Sequence, residues 1–462
     1  MLPLSYTDWL GKSMLITVKD CICGHGKTLG MVKQIKEMYK KNANEVFLYI
    51  TPYLEQCHDV AGTEPIDGDE YKRPKRDKHN AVIYNPSDKN LGCMYFKHPN
   101  NNNSLGAKQE GLKTLMSNKD HIVSTHNLFL NMKLDTLQNA DQYTLIIDEC
   151  LDAYKQFKGI SKKSLALLIE QGIFSVDDES LKLVYHREKD LFPDDNWEFS
   201  ELIKLSEAGC IFFVNGELLV WEYPVSILSS FNEVWVLTYL FEGSFMSAWC
   251  KINNIEVVRV KPELHRSTEE VKAYIKDCIE VVVTPSLKNI ENYSYSQTWW
   301  GNSAVESVVE KIRKAVESCV RITKAKTENI LVTCPKANWT TDSDEYDDYV
   351  SEKGKIKKRP LIKGKGFSRA AWLYSDARAT NDYSHKNVLI YLIGKNPNTV
   401  LWNFCHSKGV DLDKELYAIA SMVQWIFRGS VRKKEKMYLI MPSKEMRDLY
   451  FKWLETNDKE LV

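Results

Sequence analysis

The sequence carries no excess of either charge: Lys plus Arg and Asp plus Glu stand at 62 each in 462 residues. A global positive field that would concentrate a polyanion is excluded, so local patches must carry any nucleic-acid binding. No apolar run approaches the ~20 residues needed to span a bilayer, and no basic N-terminal segment precedes an apolar core. On that reading the protein is neither membrane-embedded nor secreted, and it belongs in the cytoplasm (host cytoplasm if viral). No Cys-x-x-Cys pair occurs among the 11 scattered cysteines, which excludes a zinc ribbon or an iron–sulfur knuckle. Only Cys21 and Cys23 are close together, and the pattern is that of a reducing compartment.

With 44% hydrophobic and 27% charged residues the chain is globular, and its length predicts two or three domains. Apolar, β-rich runs alternate with helical stretches: Met14–Val18, Glu45–Ile50, His121–Ser124, Tyr143–Ile147 and Glu233–Leu237, then Val281–Val283, Asn329–Thr333, Asn387–Leu392 and Lys436–Ile440. Such alternation predicts an α/β fold of parallel sheets covered by helices, in two tandem units, 1–255 and 256–462, although no Gly/Ser linker marks the join. Residues of about 151–230 read as an insertion in the first unit, with a helix over Lys162–Gln171 and a hairpin at Asn215-Gly216; Trp197 and Trp221 read there as core packing. Lys72–Lys78 and Asn100–Asn103 read as surface loops, and Asp342–Asp348 followed by Lys353–Lys365 as a solvated or nucleic-acid-contacting loop.

Three groups carry chemistry. The run Met14–Val18 leads into Cys23-Gly24-His25-Gly26-Lys27-Thr28 and then a helical stretch from Leu29 to Lys41. Strand, glycine loop and helix in that order make a triphosphate cradle: Gly24, His25 and Gly26 bring backbone N–H groups to the phosphates, Lys27 contacts the β- and γ-phosphates, and Thr28 ligates magnesium. Second, Asp148-Glu149-Cys150 ends a buried strand, where acids are costly unless a cation or substrate needs them. Asp148 is assigned to the magnesium shell and Glu149 to the attacking water. Third, Gln424, Arg428 and Arg432 recur at four-residue spacing on what reads as one helix from Leu416, a stripe suited to a departing γ-phosphoryl group in the manner of arginine fingers.

In this order the motifs resemble those of the superfamily 2, DEAD/DEAH-like helicases. Gly24–Thr28 looks like motif I, Asp148–Cys150 like motif II and Gln424–Arg432 like motif VI. Thr51-Pro52 resembles motif Ia, Ser124-Thr125-His126 motif Ib, Leu237–Tyr239 motif III, Thr333–Pro335 motif IV and Ala379–Asp382 motif V. The resemblance implies two tandem RecA-like domains, ATP and Mg2+ as cofactors, Thr238 coupling hydrolysis to polymer binding, and Thr51, Pro52, Ser124, Thr125, His126, Thr380 and Asn381 along a nucleic-acid track. It implies DNA rather than RNA, with replication or recombination proteins as further partners. The sequence departs from the pattern in the four-residue spacing of its arginines, in a motif III reduced to Thr238, and in the absence of an adenine-recognising glutamine before Lys12; the variant spacing and Asn381 in motif V are similar to compact phage-encoded or mobile-element helicases. A nucleotide-gated adaptor and a DNA-packaging motor are the alternatives.

Overall fold

The computed structural model describes residues 14–458 apart from 25, 62–81, 84–95, 100–104, 133–135, 191–198, 215, 217, 262–266, 340–348, 351–355, 358–361, 363–366, 368, 369 and 378–381. Outside the described residues therefore lie His25, Thr380, Asn381, Lys72–Lys78, Asn100–Asn103, Trp197, Asp342–Asp348 and all of Lys353–Lys365 but Ile356, Lys357 and Ile362. The chain divides into two compact units. One comprises Met1–Asp20, Lys27–Pro262 and Pro397–Leu412, the other Cys21–Gly26, Glu263–Asn396 and Asp413–Val462.

In the first unit the five expected runs join three further strands, Glu256–Arg259, Phe96–His98 and Val82–Ile83, in one eight-stranded sheet in the order Glu256–Arg259, Leu15–Asp20, Glu233–Thr238, Tyr143–Asp148, Val46–Thr51, His121–Thr125, Phe96–His98, Val82–Ile83. All neighbours are parallel except the last pair. Every residue of Val46–Thr51 and Tyr143–Asp148 is buried, as expected of central strands covered on both faces. Alternate side chains serve the two layers. Phe47, Tyr49 and Ile146 pack against Met31, Val32 and Ile35 of the Lys27–Lys41 helix, whereas Leu48, Ile50, Leu145 and Ile147 face a larger core with Leu112, Leu115 and Trp249.

The chain between Asp148 and Glu233 builds small antiparallel structures. Ile211–Val214, Leu218–Glu222 and Tyr154–Phe157 form one sheet, Phe174–Val176 and Leu183–Tyr185 a hairpin, and Lys162–Glu170 a helix capped by Ser161. Ile211–Val214 and Leu218–Glu222 pair as the hairpin read at Asn215-Gly216, with Gly216 between them at φ +71°, while Asn215 lies outside the described residues. Trp221 there is half-buried and packs edge-on against Tyr223. The helix Thr399–Ser407 also belongs to this unit, with Leu401, Phe404 and Cys405 buried in its core.

The second unit has a five-stranded parallel sheet in the order Ile279–Val281, Met437–Ile440, Val388–Tyr391, Ile330–Thr333, Ala371–Trp372. The fold is thus α/β with two parallel sheets, consistent with tandem RecA-like domains. The helix Glu306–Thr323 buries Val309, Ile312, Val316 and Cys319, the three-and-four spacing of a one-faced helix.

One expectation is corrected here. The helix carrying Gln424 ends at Ile426, and Arg432 lies in a separate 3-10 turn, Ser430–Lys433, so Gln424, Arg428 and Arg432 do not form one unbroken helical stripe. The chain leaves the helix at Ser430, and Gly429 before it is packed too closely for a side chain. A side-chain carbon at Gly429 would sit 2.6 Å from Met437 Sδ and 2.7 Å from Leu389 Cδ1, and the Ser430 amide donates to the Lys386 carbonyl instead of continuing the helix. Gly429→Ala should therefore destabilise the protein by about 1–3 kcal/mol. Gly301→Ala, on a helix with no atom near the added carbon, should be neutral or stabilising. Urea unfolding of both variants checks the contrast, and equal midpoints would contradict it.

Candidate nucleotide site

The parallel register sets the carboxyl ends of three strands level. Asp20 stands beside Thr238, and Leu237 beside Asp148. The strand ending in the glycine loop and the strand ending in the acid pair are therefore separated only by the strand that ends in Thr238. Past Asp20 the chain turns through Gly24 and Gly26, at φ +83° and +78°, a left-handed backbone that glycine adopts without steric cost. The Lys27–Lys41 helix then begins, and the first N–H groups of such a helix have no partner within it.

Lys27 and Thr28 thereby reach the acids. Lys27 Nζ lies 3.6 Å from Glu149 Oε1, both side chains being only 8% exposed. The Thr28 hydroxyl donates to Asp148 Oδ2 at 3.1 Å, and the Tyr49 hydroxyl donates to the same oxygen at 3.3 Å. Burial, and then the neighbouring Glu149, push the Asp148 carboxyl up to about 6, against the opposing pull of Lys27, Thr28 and Tyr49. Burial likewise holds the Tyr49 phenol well above its ordinary range, so Tyr49 is a donor here.

This donor set fits magnesium. Octahedral ligands at 2.0–2.1 Å place adjacent oxygens about 2.9 Å apart, near the 3.1 Å between Thr28 Oγ1 and Asp148 Oδ2. Both are hard oxygen donors. Among the described residues no group of three or more His, Cys, Asp and Glu side chains is arranged to hold a metal, so the remaining ligands would come from water and substrate, as is usual for this ion.

The backbone around the acids is constrained. Glu149 sits at φ +68°, a conformation costing a non-glycine residue roughly 1–2 kcal/mol. Its amide donates to the Leu237 carbonyl at 2.8 Å. The Cys150 thiol donates to Thr238 Oγ1 at 3.4 Å, which connects the acid strand to the Thr238 assigned to coupling. Asp20 accepts from the Leu240 and Phe241 amides at 2.7 and 2.8 Å, holding the turn after Thr238 in which Leu240 has φ +55°. Burial raises the Asp20 carboxyl, while those amides and Lys27 pull it down.

The residues assigned to a polymer track are differently placed. Pro52 and Thr125 are half-buried, and Thr125 caps the His126–Leu130 helix by accepting from the Leu128 amide. Thr51 and Ser124 are buried, with Thr51 Oγ1 donating to the Tyr53 carbonyl at 2.8 Å. His126 is turned inward: its ring is buried, with Nε2 2.8 Å from the Asp148 carbonyl. In the second unit Gln424 is half-buried, Arg428 buried and Arg432 exposed. Sequence reasoning missed Tyr49 and Asp20. An acid closing a buried strand was the signal that found Asp148, and Asp20 carries the same signal; Tyr49 reads only as one more apolar residue of a central strand.

Comparison with known proteins gives likenesses to a family, to a curated relative and to a solved structure. Residues 273–454 match the family described as the YonV C-terminal Rossmann-like domain. Over 455 residues the chain is 28% identical to the SPbeta prophage-derived uncharacterized protein YonV of Bacillus subtilis (strain 168), covering 95% of this chain and 98% of that one. The crystal structure of the DUF1998 helicase MrfA bound to DNA and AMPPNP aligns with a TM-score of 0.31 and 10% identity, over 97% of this chain and 49% of that chain. The chain thus spans about half the length of that helicase. No described helix is long and apolar enough to cross a membrane.

The raised Asp148 carboxyl makes a stability prediction for the metal-free protein. The folded state keeps that proton up to about pH 6, whereas the unfolded chain releases it near 3.9. The stability it contributes is therefore present below about pH 4 and lost as pH rises through 6. Asp148→Asn removes the loss, so its Tm should exceed that of wild type by a few degrees above pH 6.5, and by much less at pH 4. Thermal melts across that range test this; a Tm difference independent of pH would contradict it.

Proposed function

We propose that this protein is an ATP-dependent nucleic-acid translocase or helicase, acting on DNA in preference to RNA. The observation that carries the reading is the convergence of Lys27 and Thr28 on Glu149 and Asp148 at the ends of buried parallel strands. Two acids, a lysine and a hydroxyl buried together make little sense as core packing, because charges there are costly unless used.

In this reading the loop N–H groups and Lys27 bind the triphosphate, while Thr28 and Asp148 hold magnesium, which would screen the phosphate charge. Glu149 orients a water and takes its proton as the water oxygen bonds to the γ-phosphorus. The bond from that phosphorus to the β-bridging oxygen breaks, and ADP leaves with the bridging oxygen. Lys27 holds the Glu149 carboxylate until the phosphates arrive. Arg428 and Arg432 are the proposed charge-neutralising groups for the departing phosphoryl, and Thr238 passes the state of the acid strand to its neighbour. Along the polymer, Pro52, Thr125, Thr380 and Asn381 would meet backbone phosphates, contacts that position a strand without reading its sequence.

Steady-state ATP hydrolysis measured without polymer and with single-stranded DNA, duplex DNA or RNA tests the reading. DNA should stimulate turnover, and Lys27→Ala should abolish it. Equal rates in all four conditions would leave a nucleotide switch in place of a motor. Arg428→Ala and Arg432→Ala should each lower kcat by roughly 10³-fold or more if they act as fingers, with nucleotide affinity affected far less. Loss of affinity and turnover in equal measure would remove them from that role.

A further inference from the structure

His126 serves the acid pair from a direction that neither the motif reading nor the proposed mechanism uses. The Asp148 carbonyl and the Glu149 amide belong to a single peptide group, the one that joins the metal-binding acid to the water-activating acid. Both of its polar ends are held. The carbonyl oxygen lies 2.8 Å from His126 Nε2, and the N–H donates to the Leu237 carbonyl, also at 2.8 Å. A carbonyl can only accept, so Nε2 carries the hydrogen and His126 is the donor.

The two holds come from opposite sides of the acid strand in the sheet. Leu237 belongs to Glu233–Thr238, paired directly with Tyr143–Asp148. His126 is the first residue of the short helix that succeeds the strand His121–Thr125. Glu149 meanwhile sits at φ +68°, in a region that a residue bearing a Cβ leaves when nothing holds it there. The simplest relaxation is rotation of the Asp148–Glu149 peptide plane, which would break both hydrogen bonds together and swing the Glu149 carboxylate away from its place 3.6 Å from Lys27.

The geometry points to His126 as a positioning residue: its Nε2–H clamps the Asp148–Glu149 peptide, keeps Glu149 in the left-handed conformation, and so sets where the water-activating carboxylate stands. This rests on the hydrolytic reading of the site. It also supplies a route from polymer to chemistry, since Thr125, the half-buried cap of the same helix turn, precedes His126 in the chain. A strand engaging Thr125 would tighten or slacken the clamp without touching the nucleotide.

The test compares two full-length variants. His126→Phe fills the buried volume but offers no donor, and His126→Gln returns an N–H at comparable reach. The clamp predicts that the Phe variant loses kcat roughly 10- to 100-fold while its KM for ATP and its Tm stay near wild type, and that the Gln variant recovers most of the lost turnover. Wild-type turnover in the Phe variant, or equal losses in both variants, would overturn it. A crystal structure of His126→Phe gives a readout independent of hydrolysis: the Asp148–Glu149 peptide should be rotated and Glu149 should have negative φ, whereas φ retained near +68° would overturn the clamp. If the wild type hydrolyses no ATP but the Phe variant shows the rotated peptide, the hydrolytic reading fails and the clamp stands.

Discussion

The candidate site depends on the parallel pairing of Glu233–Thr238 with Leu15–Asp20 on one side and Tyr143–Asp148 on the other. Neither the glycine loop nor the acid pair is a site alone. The middle strand fixes their separation, and its register sets Asp20 opposite Thr238 and Asp148 opposite Leu237, one residue earlier. A one-residue slip would turn Asp148 to the opposite face of the sheet and part it from Thr28. Complete burial of the two strands Val46–Thr51 and Tyr143–Asp148 makes such a slip expensive, because it would exchange the apolar sets that pack against the Lys27–Lys41 helix and against the larger core.

The middle strand also carries most of the polar wiring between the two halves of the site. Its last carbonyl but one receives the Glu149 amide, its terminal threonine receives the Cys150 thiol, and the turn beyond it is held by Asp20. A change at either end of the site is thereby felt by the same three residues, Leu237, Thr238 and Leu240. The acids themselves are held at a cost to stability: one has its carboxyl pushed up by burial and the other has a strained backbone. Such local cost is what a candidate functional site carries and what core packing avoids.

Much of this was legible in the sequence because the signals were local. β-branched and aromatic runs marked the central strands of both sheets but not Val82–Ile83, Phe96–His98 or Ala371–Trp372, and the run read at Val281–Val283 is a strand at Ile279–Val281; glycines marked the loop after Asp20, and an acid pair after Ile147 marked the strand end. What escaped was non-local. The strand Glu256–Arg259, beyond the join read near residue 255, pairs with Leu15–Asp20. The segment Pro397–Leu412 returns to the first unit through Leu401, Phe404 and Cys405, and nothing in its composition distinguishes it from its flanks. The arginine stripe was misread because helical spacing continues through Phe427 and Arg428, whereas the departure of the chain at Ser430, whose amide donates to the Lys386 carbonyl, depends on a partner more than forty residues away. The inward turn of His126 was hidden for the same reason: its partner, the Asp148 carbonyl, lies 22 residues away.

The central proposal is that Lys27, Thr28 and the acid pair form one nucleotide–magnesium site. Titration calorimetry with a non-hydrolysable ATP analogue, with and without magnesium, tests it without requiring turnover. Binding by the wild type should strengthen when magnesium is present, Asp148→Asn should bind without that strengthening, and Lys27→Ala should show no binding in either condition. Equal binding by all three proteins, or magnesium dependence that survives Asp148→Asn, would contradict the account.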